Sequence, residues 1–523
     1  MILKKKININ FIYIIFLSIY SFFINQYFGH IGINPIDSFF SFNAGYDILN
    51  GFYPFKDYWT ITGPFIAFTQ AILFKIIGVS WFSYVFHASI YNVVLVILTY
   101  STLKKFNLNI HYCFLYALLV SILAYPSIGT PYVDHQSTYL SVISIFIFIL
   151  AVKTNKKIYW FFLPILIVLS FLSKQAPTGH IFLIIAAMSI YYFIFNFNTK
   201  KIIIGLVGLF FILSIFFGSL YLGKISIWSF VEQYILFPIS LGESRLDFLF
   251  PLEFKRLLLR YKIIHISFLI PTLLIFIKIF KDYHFVKSNE FIIIFSLLLM
   301  YLALIVHQLM TINGYFIFFI IPILCGFSHV YYLKYFEKKK YILYLLLILS
   351  IGSTIHYSNK YILSRDFNDL NKNIINKSID AKKLDIKLSG LKWITPLYME
   401  NPHEEIFNIK EAIDIIKIDQ RKKTIITDYQ FISIILSTYD YSPSQVWFPY
   451  HVNPNEDSKY FNTYKNFFIN RLKENKIKII YIVKPLWGGN IIEKSIDSSC
   501  FTKNEVTKIL DRYTIKECDD FKD

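Results

Sequence analysis

The sequence predicts an α-helical polytopic membrane protein of about eleven transmembrane helices, followed by a C-terminal extracytoplasmic α/β domain. Three observations carry this prediction. Of 523 residues, 55% are hydrophobic, 19% aromatic and only 16% charged, with a mean hydropathy of +0.51, more apolar than an ordinary soluble domain. Apolar runs recur through residues 1–356, each close to the ~20 residues that cross a hydrocarbon core at 1.5 Å per residue. Lastly, residues 1–356 hold 26 basic against 11 acidic residues, whereas residues 357–523 hold 26 and 23. The net charge of +18 is therefore a matter of topology and not a basic face for nucleic acid.

The spans are expected at 11–28, 81–102, 109–126, 136–152, 158–172, 180–197, 202–222, 263–280, 291–308, 314–333 and 341–356. The first follows Lys4, Lys5 and Lys6 as a signal peptide would, but it is long enough to span and no small-residue cleavage site follows, so it reads as a retained helix. Alternate turns then carry Lys104 and Lys105; Lys153, Lys156 and Lys157; Lys200 and Lys201; Lys278, Lys281 and Lys287; and Lys334 with Lys338, Lys339 and Lys340. With the N-terminal lysines these make 17 basic residues against three acids, while the opposite loops hold nine basic and eight acidic. The positive-inside rule places the N-terminus in the cytoplasm. An odd number of spans sends residues 357–523 outside.

That second part has ordinary polarity. Its pattern predicts helix at 407–418, strand at 424–427, helix from Tyr429, helix at 460–474 and strand at 477–483, an α/β arrangement without a glycine-rich phosphate loop. Four cysteines are too few for a disulfide scaffold and none has zinc-site spacing; Cys500 and Cys518 can pair in an oxidising compartment or stay free.

The first outer loop is the richest stretch. Asp37 to Asn50 is expected as a short amphipathic helix with Asp37 as N-cap and Gly51 just past its end, and Phe65 to Gly78 as a second helix at the interface. Asp37, Ala44, the segment Gly51-Phe52-Tyr53-Pro54-Phe55-Lys56-Asp57 and Gly63-Pro64 resemble the first loop of the GT-C superfamily. These are multi-span glycosyltransferases that use polyprenyl-phosphate sugars, including the protein mannosyltransferase, aminoarabinose transferase and RgtA-like branches. The chain departs from that pattern at Ser38, where many members carry Glu. The resemblance covers about 350 residues in topology and about 30 in motif.

The resemblance implies that Asp37 is the catalytic acid-base residue, with Asp57 in the same binding loop; an N-cap is the plain alternative. Asp134 in the second outer loop is implied as a second catalytic carboxylate, positioning acceptor or a divalent cation (Mg or Mn), and helix capping is its alternative. His135 either ligates a metal or contacts substrate, or is an interfacial polar residue. Lys174, with Gln175 beside it, stands at the outer end of a span and suits the phosphate of a lipid donor, against the alternative of snorkelling to headgroups. Arg256 and Arg260, four residues apart, suit the same phosphate or anionic lipid. His307, Gln308, Asn313 and Tyr315 fall at the last outer turn, where sugar contacts are implied. In the C-terminal part, Trp393, the run Asp428-Tyr429-Gln430 and Trp447 to His451 are candidates for sugar stacking or simply core.

The implied function is transfer of a sugar from a polyprenyl-phosphate carrier to a glycolipid, O-antigen, lipid A or protein acceptor at the outer face of a bacterial cytoplasmic membrane. A lipid-linked glycan flippase or transporter and an O-antigen ligase or polymerase are the alternatives. A flippase would carry ionisable groups inside its spans, whereas the acids of residues 1–356 all fall in loops, and His87 and His307 are the main exceptions.

Overall fold

The computed structural model describes residues 8–242, 255–311, 317–336, 340–447, 452–486, 491–518 and 521. A helix stands at each of the eleven expected positions: α1 Ile9–Gly29, α5 Trp81–Lys105, α6 Ile110–Leu123, α7 Val133–Thr154, α8 Lys157–Phe171, α9 Gln175–Phe195, α10 Thr199–Leu222, the pair α12 Lys262–Ser267 and α13 Leu269–Lys281, α14 Asn289–Thr311, α15 Ile320–Tyr335 and α16 Lys340–Tyr357. Among the described residues, eight helices are long and apolar enough to cross a membrane. α8 and α15 are shorter, at 15 and 16 residues, and the span expected at 263–280 is broken at Phe268.

The centre of the bundle is α7, whose residues from Val133 to Val152 are all buried and which packs on α5, α8, α9 and α14. At the rim, α10 touches mainly α8 and turns Leu206, Val207, Phe210 and Phe211 outward, as a lipid-facing helix must.

Between α1 and α5 the first long loop forms α2 Pro35–Ser38, α3 Phe40–Leu49 and α4 Pro64–Ile77. The single helix expected over 37–50 is thus interrupted at Phe39, and its cap differs. Asn34 precedes Pro35 as N-cap, so Asp37 lies in the first turn and its side chain is free for other work. Gly51 follows α3 with φ +87°, a conformation that favours glycine. α11 Ile227–Val231 lies between α10 and α12.

The C-terminal part is built on a four-stranded sheet of β1 Lys423–Thr427, β2 Ile479–Val483, β3 Phe501–Thr507 and β4 Leu510–Ile515, in the order β1-β2-β4-β3. β1 and β2 are parallel; β2–β4 and β3–β4 are antiparallel. Helices α17 Pro402–Ile418, α18 Ile432–Leu436 and α19 Phe461–Glu474 complete it. The β3–β4 hairpin was not among the expected elements, and a Cys500–Cys518 disulfide closes its base.

The two parts share a core. Ile33, Phe39, Phe42, Phe74, Trp81 and Tyr84 pack with Leu391, Trp393, Ile409, Tyr429 and Phe431. Backbone bonds join Gly32 N–H to Lys392 O, Ile33 N–H to Ile394 O, Lys392 N–H to His30 O and Trp59 N–H to Pro443 O. The end of α1 and the segment after α16 therefore meet at one face of the bundle.

Candidate active site

At that face three helices converge on one carboxylate. Asp134, in the first turn of α7, is 2% exposed. Lys174 Nζ, at the start of α9, donates to its Oδ2 at 2.5 Å, and His307 Nε2, near the end of α14, lies 3.2 Å from its Oδ1. An ionised carboxylate only accepts, so the His307 tautomer with Nε2–H fits this contact. Asp134 is thus no helix cap, and Lys174 does not snorkel.

The turn carrying Lys174 is fixed from two sides. Ser137, Ser170 and Thr178 form a buried hydroxyl chain, with Ser137 Oγ donating to Lys174 O at 3.2 Å and Thr178 Oγ1 to the same oxygen at 3.0 Å. On the other side the first loop passes so close that a Cβ at Gly63 would lie 2.0 Å from Leu172 O. Only glycine allows that approach, which accounts for Gly63 ahead of Pro64. Gln175 bridges the loop to α11's neighbourhood through Nε2, donating to Ile61 O at 3.3 Å and Tyr234 O at 2.6 Å.

Asp37 is half-buried beside this group. Its Oδ1 accepts from Tyr132 OH at 3.5 Å. Burial first, and then the nearby carboxylates of Asp369 and Asp134, push its pKa up to about 7, against the hydrogen bond from Tyr132 and the charge of Lys174. Asp369, just beyond α16, accepts from Asn34 Nδ2 at 3.1 Å and so belongs to the same wall. Gln308 follows His307, is 1% exposed and has no hydrogen-bond partner for either amide atom among the described residues. A buried amide with both polar atoms unanswered suits a ligand.

The remaining expected residues are placed as follows. His135 is buried, with Nε2 3.0 Å from Ser127 Oγ, among Tyr125 and Tyr139. Asp57 takes the Tyr53 amide on Oδ2 at 2.8 Å and Arg471 Nη2 of α19 on Oδ1 at 3.2 Å, tying the first loop to the C-terminal part. Arg256 lies in a π-turn over Lys255–Leu259, and the exposed Arg260 guanidinium sits over the Tyr261 ring. Asn313, Tyr315 and residues 448–451 lie outside the described residues. Trp393 and Tyr429 are core: both bond to the buried Glu405 carboxylate, at 2.8 Å and 2.6 Å.

Among the described residues, no three His, Cys, Asp or Glu side chains stand together to hold a metal ion. Asp134, the carboxylate expected to take one, has its charge answered by Lys174 and His307. The donor set does not fit a divalent cation, and no step is derived through one.

Asp369, Tyr132 and His180, whose ring is close enough to feel His307, were not anticipated. Tyr132 and His180 lie beside residues that were singled out, whereas Asp369 is more than 300 positions from Asp37 and only the fold joins them.

These features define a multi-pass helical membrane protein with a carboxylate, lysine and histidine site at one end of its bundle. No known protein-family profile matches the chain, and no curated protein matches it. Among solved structures it is similar to the oligosaccharyltransferase of Archaeoglobus fulgidus in complex with zinc and sulfate. That likeness has 13% identity and a TM-score of 0.44 over 89% of this chain and 68% of that one. A second structure, the archaeal oligosaccharyltransferase AglB from Archaeoglobus fulgidus with an inhibitory peptide and a dolichol-phosphate, gives 13% identity and a TM-score of 0.43 over 90% and 69%.

Proposed function

We propose that the protein is a membrane glycosyltransferase that moves a sugar from a polyprenyl-phosphate carrier to a cell-envelope acceptor. Residues 1–356 would supply the catalytic bundle and residues 357–523 an outer domain, in a bacterial cytoplasmic membrane with the N-terminus inside. The observation that carries this reading is Asp37, a half-buried carboxylate whose pKa is pushed up to about 7, set beside Asp134, which in turn holds the Lys174 ammonium and the His307 imidazole.

A carboxylate of that pKa takes a proton efficiently near neutral pH. In the proposed step Asp37 accepts the proton of an acceptor hydroxyl while its oxygen bonds to the anomeric carbon. The bond from that carbon to the phosphate oxygen breaks, and polyprenyl phosphate leaves with the electron pair. A single displacement inverts the anomeric centre. The Lys174 ammonium has three donors and uses one on Asp134, so it can meet the phosphate as its charge grows; Arg256 and Arg260 are candidates for the same anion. Asp134 holds Lys174 and His307 in place, and Gln308 offers a donor and an acceptor to sugar hydroxyls.

The test is transfer by the purified full chain in nanodiscs from a panel of polyprenyl-phosphate sugars. Wild-type turnover that falls by about a thousandfold in Asp37→Asn, with unchanged donor binding, is the expected result. Turnover retained in Asp37→Asn removes the assigned base, and no turnover with any donor removes the reading as a whole.

A further inference from the structure

At the opposite end of the bundle from Asp37 lies a cavity of about 410 Å³. It is framed by Phe106 to Leu108 after α5, Lys153 in the last turn of α7, Glu290 in the first turn of α14 and Tyr331 to Lys334 at the end of α15. Lys153 and Lys334 are exposed, so their ammonium groups meet solvent at its mouth. Lys278 from α13 joins them: its Nζ lies 4.4 Å from the centre of the Tyr335 ring, over which Lys334 Nζ stands at 5.1 Å. Lys153 Nζ sits 4.7 Å from the Phe106 ring centre.

Three lysines thus surround a site with one acid, Glu290, which is ion-paired to Lys334. No other carboxylate reaches the lysines within ion-pair distance among the described residues. The floor is apolar, with Ile293, Val330 and Leu333. Cations over a greasy floor at the end of a helical bundle suit a phosphate whose remainder is apolar or small.

We propose that this cavity binds a phosphate-bearing anion at the lysine-rich face, either the headgroup of an anionic phospholipid or a soluble phosphate compound. Such a ligand would join the ends of α7, α13, α14 and α15, and so brace from below the helices that carry Asp134 and His307 above. The proposal stands independently of the transfer reaction.

The experiment is native mass spectrometry of the full chain titrated with phosphatidylglycerol, phosphatidylcholine or inorganic phosphate, using wild type, K153A/K334A and E290Q. Phosphatidylglycerol should bind about tenfold more tightly than phosphatidylcholine, and K153A/K334A should erase that preference. E290Q frees Lys334 and should tighten binding several-fold. Displacement of the lipid by inorganic phosphate assigns a soluble ligand, and lack of displacement assigns a lipid. Equal binding of both lipids by wild type, together with no binding of inorganic phosphate, overturns the proposal. If K153A/K334A does not fold, unchanged affinity in E290Q overturns it alone.

Discussion

At the scale of single residues, the site turns on two carboxylates in different electrical surroundings. Asp134 faces an ammonium and an imidazole, whereas Asp37 faces Asp134 and Asp369. Under the proposed reaction that contrast divides the roles: Asp134 would stay charged as an anchor, and Asp37 would exchange the proton. A base must be deprotonated to act, so transfer should rise with pH through about 7 and level off above it. A pH profile of kcat/KM with no limb between 6 and 8 would sink the assignment. The same shift works against stability. Its folded pKa lies above the unfolded value, so stability is full below about 4 and declines as pH rises toward 7. Asp37→Asn should therefore be inactive yet at least as heat-stable as wild type at pH 8. Lys174 behaves oppositely. Lys174→Ala leaves Asp134 charged and uncompensated, a cost of about 2 kcal/mol after allowing for the lysine's partial exposure. Adding Asp134→Asn should recover part of that loss in thermal unfolding, and a purely additive double variant would show that the two charges are not coupled. Asp37, Lys174 and His307 were legible in the sequence because charged or polar residues at span ends stand out against apolar runs. Asp369 was not, because a carboxylate in a polar segment resembles every other one until the fold brings it to Asn34.

At the scale of elements, hydrophobic length anticipated a helix at every expected position, eight of them long and apolar enough to cross a membrane among the described residues, since the bilayer demands runs that no other structure supplies. It missed the breaks, at Phe39 and at Phe268, because a change of helix direction leaves apolar composition unaltered. It missed the β3–β4 hairpin for a different reason. Phe501 to Thr507 is half-exposed and carries Lys503 and Glu505, without the clean alternation of a half-buried strand. A third element escaped notice entirely. Arg365, after α16, is 1% exposed and pairs with no carboxylate among the described residues. Its Nε donates to Ile31 O at 2.9 Å, Nη1 to Pro126 O at 3.0 Å and Nη2 to Ile128 O at 2.7 Å. One guanidinium thereby satisfies carbonyls from the end of α1 and from the turn between α6 and α7, and fixes how the last span meets the first. Arg365→Leu removes three charge-assisted bonds and strands three acceptors, which should cost about 3 kcal/mol. Arg365→Lys should rescue little, since an ammonium lacks the planar fork that reaches three separate oxygens. A thermal midpoint unchanged in both variants would mean that the latch carries no load.

At the scale of the whole molecule, the chain boundary near 357 is not a packing boundary. The loop between α1 and α5 shares its core with the C-terminal part, so Asp37 is held by a wall whose far side is the α/β sheet. Sequence separation concealed this: nothing local in α3 announces that Asn43 accepts from Ser433 Oγ at 2.7 Å, or that Phe40 O accepts from Gln445 Nε2 at 2.9 Å. The seam also contains an acid cluster. Asp47 of α3 is 2% exposed and Asp440 is 6% exposed. Burial pushes both carboxyls up, Asp440 to about 6, and for Asp47 the charges of Asp440 and Asp57 add to it. Arg471 is bonded to Asp57 on the same seam, but no cation is paired with Asp47 or Asp440 among the described residues. The folded pKa values exceed the unfolded ones, so docking is strongest in acid, where the pair is protonated, and weakens as pH rises through about 6. Hydrogen exchange across 40–49 and 423–436 should therefore speed up, after correction for intrinsic rates, between pH 5 and pH 8, while the sheet strand β4 stays protected. Asp440→Asn removes one of the two charges and should flatten that dependence without opening the seam. If wild type and Asp440→Asn show the same pH slope, the carboxyl pair does not govern docking, and the wall behind Asp37 is held by its apolar core alone.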